Sequence, residues 1–144
     1  MTVRIRIIGT DLPGRSCGPS KDQPEGYRTI EVGVQRGKEV VDLVSADARE
    51  AVFELEANVR NGRLSGPYIH GKGDERFVYL SWGERKGGEH VMFRRAKLQL
   101  GHLDADQLDG KLLEGRLGLT DAKGNPLCAS VREPAITWTV TSPT

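Results

Sequence analysis

Apolar and polar residues alternate with period two along most of this chain, the pattern of half-buried β-strands. Val3, Ile5 and Ile7 face one way and Arg4 and Arg6 the other. Ile30, Val32 and Val34 alternate next, and Val40–Val44 follows after Arg36-Gly37-Lys38-Glu39, which reads as a hairpin turn. Residues 45–60 fit two periods. Ala48, Ala51, Val52, Leu55 and Val59 suit a helix, with Asp47 and Glu50 spaced as a capping box. Phe53, Leu55, Ala57 and Val59 alternate strictly with Glu54, Glu56 and Asn58 between them, and this favours a strand over about 52–59.

Further on, 64–70 and 76–82 flank Gly71-Lys-Gly-Asp-Glu75, a hairpin signal, and Gly83–Gly88 reads as another turn. A long strand is expected over 90–100. Residues 104–111 suit a short helix with Asp104 as N-cap and Leu108 and Leu112 inward, though Gly110 weakens it. Leu113, Gly115, Leu117 and Leu119 share one face of a strand over 113–120. Strands over 127–131 and 135–141 close the chain, the last alternating Ile136, Trp138 and Val140 with threonines.

The expectation is an all-β fold, an antiparallel sandwich or barrel of about eight to ten short strands, in one domain over residues 1–144. The Gly/Pro-rich stretch 10–26 is a loop longer than ordinary connections, so it is a candidate working part. An internal echo is visible. Thr10-Asp11-x-x-Gly14 matches Thr120-Asp121-x-x-Gly124, and Leu64-x-Gly66 matches Leu113-x-Gly115. Two related halves would explain it, as would ordinary turn chemistry, which needs less.

Composition narrows the function classes. Twenty-one basic residues balance 20 acidic ones for a net charge of +1. That argues against nucleic acid and against a polybasic membrane binder, both of which rest on excess positive charge. No apolar run approaches the ~18–20 residues of a membrane helix, and Arg4 and Arg6 break the only apolar stretch near the start, so a cytoplasmic location is expected. Cys17 and Cys128 are expected as free thiols, Cys128 in a strand and Cys17 in the long loop near Arg15. No Walker loop, HExxH, CxxC, GxSxG or GxGxxG is present, so no cofactor or metal is expected and no catalytic residue is assigned.

The segment 91–100 carries the most information. Extended, it places Met92, Arg94, Ala96, Leu98 and Leu100 on one face and Phe93, Arg95, Lys97 and Gln99 on the other. Arg94 is therefore a charge on an apolar face. It either clamps a carboxylate or phosphate, or forms a structural ion pair, or sits at a bulge that exposes it. Arg95 and Lys97 beside Phe93 suit an anionic ligand, and equally a plain solvent face. His70, near Gly71 and Asp74, suits a general base or a turn residue, while His90 and His102 have no metal-like spacing. Asp11 and Asp121 suit turn caps. Trp82, Tyr68, Tyr79 and Trp138 suit either the core or a pocket wall.

Gly66-Pro67-Tyr68-Ile69-His70-Gly71, Arg76-Phe77-Val78-Tyr79-Leu80-Ser81-Trp82-Gly83 and Met92-Phe93-Arg94-Arg95-Ala96-Lys97-Leu98 resemble a family of small, mostly actinobacterial proteins catalogued as a domain of unknown function. Gly9–Gly14 and Gly115–Asp121 resemble it too, so the likeness covers nearly the whole chain. It implies a soluble bacterial cytoplasmic protein and carries over no activity, cofactor or catalytic residue.

Three functional expectations follow. The first is a non-catalytic β domain that binds an anionic small molecule or a protein partner through Arg94, Arg95, Lys97, Phe93, Trp82 and His70. The second is a small hydrolase- or isomerase-type enzyme with His70 or Asp121 as base and Arg94 as clamp. The third is a structural module that forms homo-oligomers through a sheet edge.

Overall fold

The computed structural model describes residues 2–10, 30–45, 50–86, 88–100, 103–119 and 136–141. Nine strands run through them: β1 (Thr2–Thr10), β2 (Ile30–Arg36), β3 (Glu39–Ser45), β4 (Glu50–Arg60), β5 (Arg63–Ser65), β6 (Phe77–Lys86), β7 (Glu89–Gln99), β8 (Leu112–Gly118) and β9 (Thr137–Thr141). They form two sheets, β5-β4-β1-β8-β9 and β3-β2-β6-β7, with one buried core drawing on both. The all-β expectation holds, as a sandwich, but not a purely antiparallel one, because β1 and β8 pair in parallel. The loop expected at 10–26 lies outside the described residues beyond Thr10, as does the strand expected at 127–131.

Alternation explains the core. Val3, Ile5 and Ile7 of β1, Phe53, Leu55 and Ala57 of β4, and Leu113 and Leu117 of β8 point inward. Val32, Val34, Val78, Leu80, Trp82, Ala96 and Leu98 meet them from the second sheet. Of the ambiguous stretch 45–60, residues 50–60 settle as strand because β4 pairs antiparallel with β1 from Asn58↔Thr2 to Glu50↔Thr10, while 46–49 lie outside the described residues. That ladder satisfies backbone groups a half-exposed helix would have to bond within itself.

The first sheet's outer face is a charged ladder. Arg6 donates from Nε to Glu54 Oε1 at 2.9 Å and from Nη1 to Glu114 Oε2 at 3.2 Å, spanning β4, β1 and β8. Those hydrogen bonds, Glu54's first, hold the Arg6 guanidinium above its ordinary pKa.

Several boundaries differ from the sequence reading. The expected turn at Gly83–Gly88 is largely strand, since β2 and β7 pair with β6 through Gly83 and Glu84. The expected hairpin across 71–75 shrinks to a 3-10 turn, Gly73–Glu75, and one bridge, His70↔Phe77. Leu64 instead pairs with Val59 across Asn61-Gly62, whose φ values of 53° and 73° suit a tight hairpin. The expected helix at 104–111 is a 3-10 turn over Ala105–Gln107, capped by Asp104 accepting from the Asp106 amide. Leu108 is buried there, but Leu112 is half-buried, because it alternates with the inward Leu113.

The echoed Leu-x-Gly motifs are not equivalent. Gly66 follows an edge strand at φ 136°, whereas Gly115 lies inside central β8 beneath the Trp138 ring.

Candidate functional site

The second sheet's outer face gathers the aromatic and cationic side chains. Odd positions of β6 point outward, opposite to Val78, Leu80 and Trp82. Register places Phe77 beside Gln99, Tyr79 beside Lys97, and Ser81 beside Arg95. The Lys97 ammonium lies 4.1 Å from the Phe77 ring centroid, and the Arg95 guanidinium 4.2 Å from that of Tyr79. The two rings meet edge to face at 4.7 Å.

His70 closes one end of this platform. Its ring stacks on Phe77 at 5.9 Å and tilts against Tyr79 at 5.3 Å. Paired backbone hydrogen bonds with Phe77, at 2.9 and 3.0 Å, fix its position. Its Nε2 lies 3.3 Å from the Gln35 carbonyl oxygen. The preceding segment is anchored as well: the Gly37 amide donates to the Pro67 carbonyl at 2.8 Å, and Arg36 lies over Tyr68 at 5.9 Å. A local turn and the β2–β3 hairpin thus bring His70 to the end of a sheet that its own segment barely joins.

The structure divides the residues singled out by sequence. His70, Arg95 and Lys97 come together. Phe93 is the extra residue of a register shift between Trp82↔Arg94 and Gly83↔Met92, and its side chain lies outside the described residues. Trp82 is fully buried in the core, so it offers a ligand no surface. Arg94 sits beside that irregularity, half-buried and opposite Trp82.

Arg94 does not share a cleft with His70. Five residues of β6 separate their partners Trp82 and Phe77, about 16 Å at the ~3.3 Å rise of a strand. Their side chains also belong to opposite faces of the sheet. The register therefore sets His70 and Arg94 apart along β6 and on opposite faces of the sheet. Asp121, Asp11, Cys17, Cys128 and His102 lie outside the described residues, as does the side chain of His90.

Among the described residues, no group of three or more His, Cys, Asp or Glu is placed to hold a metal ion. No helix there is long and apolar enough to cross a membrane.

A family model, described as a family of unknown function (DUF5990), matches residues 3–141. The chain belongs to that family. Every platform residue falls within the DUF5990 match, which reaches from β1 to β9. No curated protein and no solved structure matches the chain.

Sequence reasoning named Tyr79 only as a core or pocket-wall residue and did not single out Phe77. Their alternation with Val78, Leu80 and Trp82 was the available signal, because it sends them to the face opposite the core. The Asn61-Gly62 turn was also readable, being a strong two-residue hairpin signal.

Proposed function

We propose that this protein is a non-catalytic β domain that binds a small anionic molecule on the His70–Phe77–Tyr79–Arg95–Lys97 platform. One observation carries the reading: two cations are held over two touching aromatic rings on the outer side of the sheet. Their Cα positions are two residues apart on β7, about 7 Å. Packing against the rings restricts both side chains before a ligand arrives, which lowers the ordering cost of binding. A phosphate or a polycarboxylate spans such a pair. Glu31 occupies the same face one strand away, opposite Gly83, and favours ligands that engage the Lys97 end.

The test is an NMR titration with inorganic phosphate and with citrate, following residues 77, 79, 95 and 97. Saturable shifts that Lys97→Gln weakens at least threefold are expected. Shifts reproduced by sodium chloride at equal ionic strength would overturn the reading.

A further inference from the structure

A sheet edge carries unpaired backbone donors and acceptors, and natural edges are blunted by charge, proline, a bulge or brevity. Three of the four outermost strands here follow that rule. β3 is bulged, with Asp42 at φ 57° in the irregularity. β7 has a register shift and carries Glu89, Arg94, Arg95 and Lys97. β5 has three residues, and beyond it the free stretch of β4 carries Glu50, Glu54 and Glu56.

The fourth, β9, does not. It reads Thr137-Trp-Thr-Val-Thr141, with no charge and no proline, and its ladder with β8 is regular throughout. Among the described residues it pairs with β8 alone. Trp138 is half-buried and the other four residues are exposed, so the strand faces solvent. Val140, at 46%, is one of two large apolar side chains left exposed among the described residues. The strand is also self-complementary. Set antiparallel to a copy of itself about Thr139, all five residues pair: Thr137 opposes the partner's Thr141, and Trp138 opposes the partner's Val140. The outward pairs are then Thr–Thr throughout, and the inward ones join an aromatic to a β-branched side chain, both favourable across strands. The same operation on β4 fails, because any centre from Val52 to Glu54 sets glutamate against glutamate.

We infer that β9 joins a second copy of this chain, antiparallel about Thr139, so that the five-stranded sheets of two molecules run on as one. Pairing satisfies the free backbone edge and covers Val140 together with what remains exposed of Trp138. One short strand pair falls below the ~1,200 Å² of a standard interface, so the dimer is reversible. The platform belongs to the other sheet, and this inference does not depend on it.

The experiment is sedimentation equilibrium of the full chain over a wide concentration series. The average mass should rise from one chain toward two and stop there. Thr139→Lys sets two ammonium groups face to face at the axis, while within one molecule the lysine stands beside Glu114. It should weaken the dimer about tenfold or more and leave the thermal midpoint of the dilute monomer unchanged. Val140→Ser, at an exposed side chain, should weaken it about threefold, and it decides the matter should Thr139→Lys not fold. Val52→Ser, at the other edge of the same sheet, should leave the dimer as it is. A single-chain mass at every concentration would overturn the inference. So would masses beyond two chains, a dimer that Thr139→Lys and Val140→Ser leave intact, or one that Val52→Ser weakens equally.

Discussion

Trp138 joins the two sheets: its indole Nε1 donates to the backbone carbonyl of Gln99 at 3.2 Å, from β9 of one sheet to the end of β7 in the other. The ring itself lies over Gly115, where a Cβ would come within 2.5 Å of the indole. The glycine admits the ring, and the ring carries the hydrogen bond between sheets.

Trp138→Phe keeps most of the ring and removes the donor. It should cost about 1 kcal/mol, the net worth of an ordinary hydrogen bond. For a chain of this size that lowers Tm by about 3–5 °C in a thermal melt. Gly115→Ala should cost about 1–3 kcal/mol by overpacking. The two sites touch, so Gly115→Ala should cost less in a Trp138→Ala background, and a double-mutant cycle measures the difference.

Gly33→Ala should be among the most damaging single-methyl changes. Its Cβ would lie 2.6 Å from the Val41 carbonyl oxygen, a backbone atom in the β3 bulge. Asp42, in that bulge, holds φ 57°, so the local backbone has little freedom to retreat. A loss of at least ~2 kcal/mol by chemical denaturation is expected.

Gly71 sits in the turn that connects His70 to Arg76. It holds φ 84°, and a Cβ there would run into the Glu75 carbonyl oxygen. Gly71→Ala should destabilise by about 1–3 kcal/mol. It should also shift the amide resonances of His70 and Arg76 together, because one turn places both.

Arg94→Met separates the two faces of β7. The platform cations stand on the outer face and Arg94 on the core side, so phosphate and citrate titrations should give wild-type affinities. The thermal midpoint should fall, since Arg94 is half-buried opposite Trp82.

The Arg6 ladder predicts salt dependence without pH dependence. Hydrogen bonds to Glu54 and Glu114 raise the Arg6 pKa in the folded state. A raised cation contributes its full stability at every pH below the guanidinium's ordinary value and loses it only above the raised one. No slope from this group is therefore expected between about pH 6 and 9. Arg6→Lys should lower Tm, and the gap should narrow in about 1 M salt, where screening is strong.

Much of the fold was legible in local spacing. Strict alternation from Phe53 to Val59 placed β4 against a competing helical pattern, and Leu113-x-Gly115-x-Leu117 named the inward face of β8. The candidate site was legible in part. Arg95 and Lys97 were assigned to one face by alternation alone, and that face is where they stand. Arg94 drew attention for its apolar neighbours, yet a register shift beside it cannot be seen in a single strand's pattern. Trp82 looked equally fit for a pocket wall or the core, because an aromatic side chain satisfies both until its surroundings are known.

The sequence by itself determined most of the long strands and their inward sides, β1, β2, β4 and β8 among them, because period-two alternation is a property of each strand alone. Only the tertiary structure decided the partners. β1 lies parallel beside β8 and pairs Arg4 with Leu112, far along the chain. His70 reaches Tyr79, and Arg76 reaches Leu64. Backbone donors and acceptors are the same on every strand, so hydrogen bonding does not itself choose a neighbour. The choice follows from how two apolar faces close over one core, and that closure sets which outward residues share a surface.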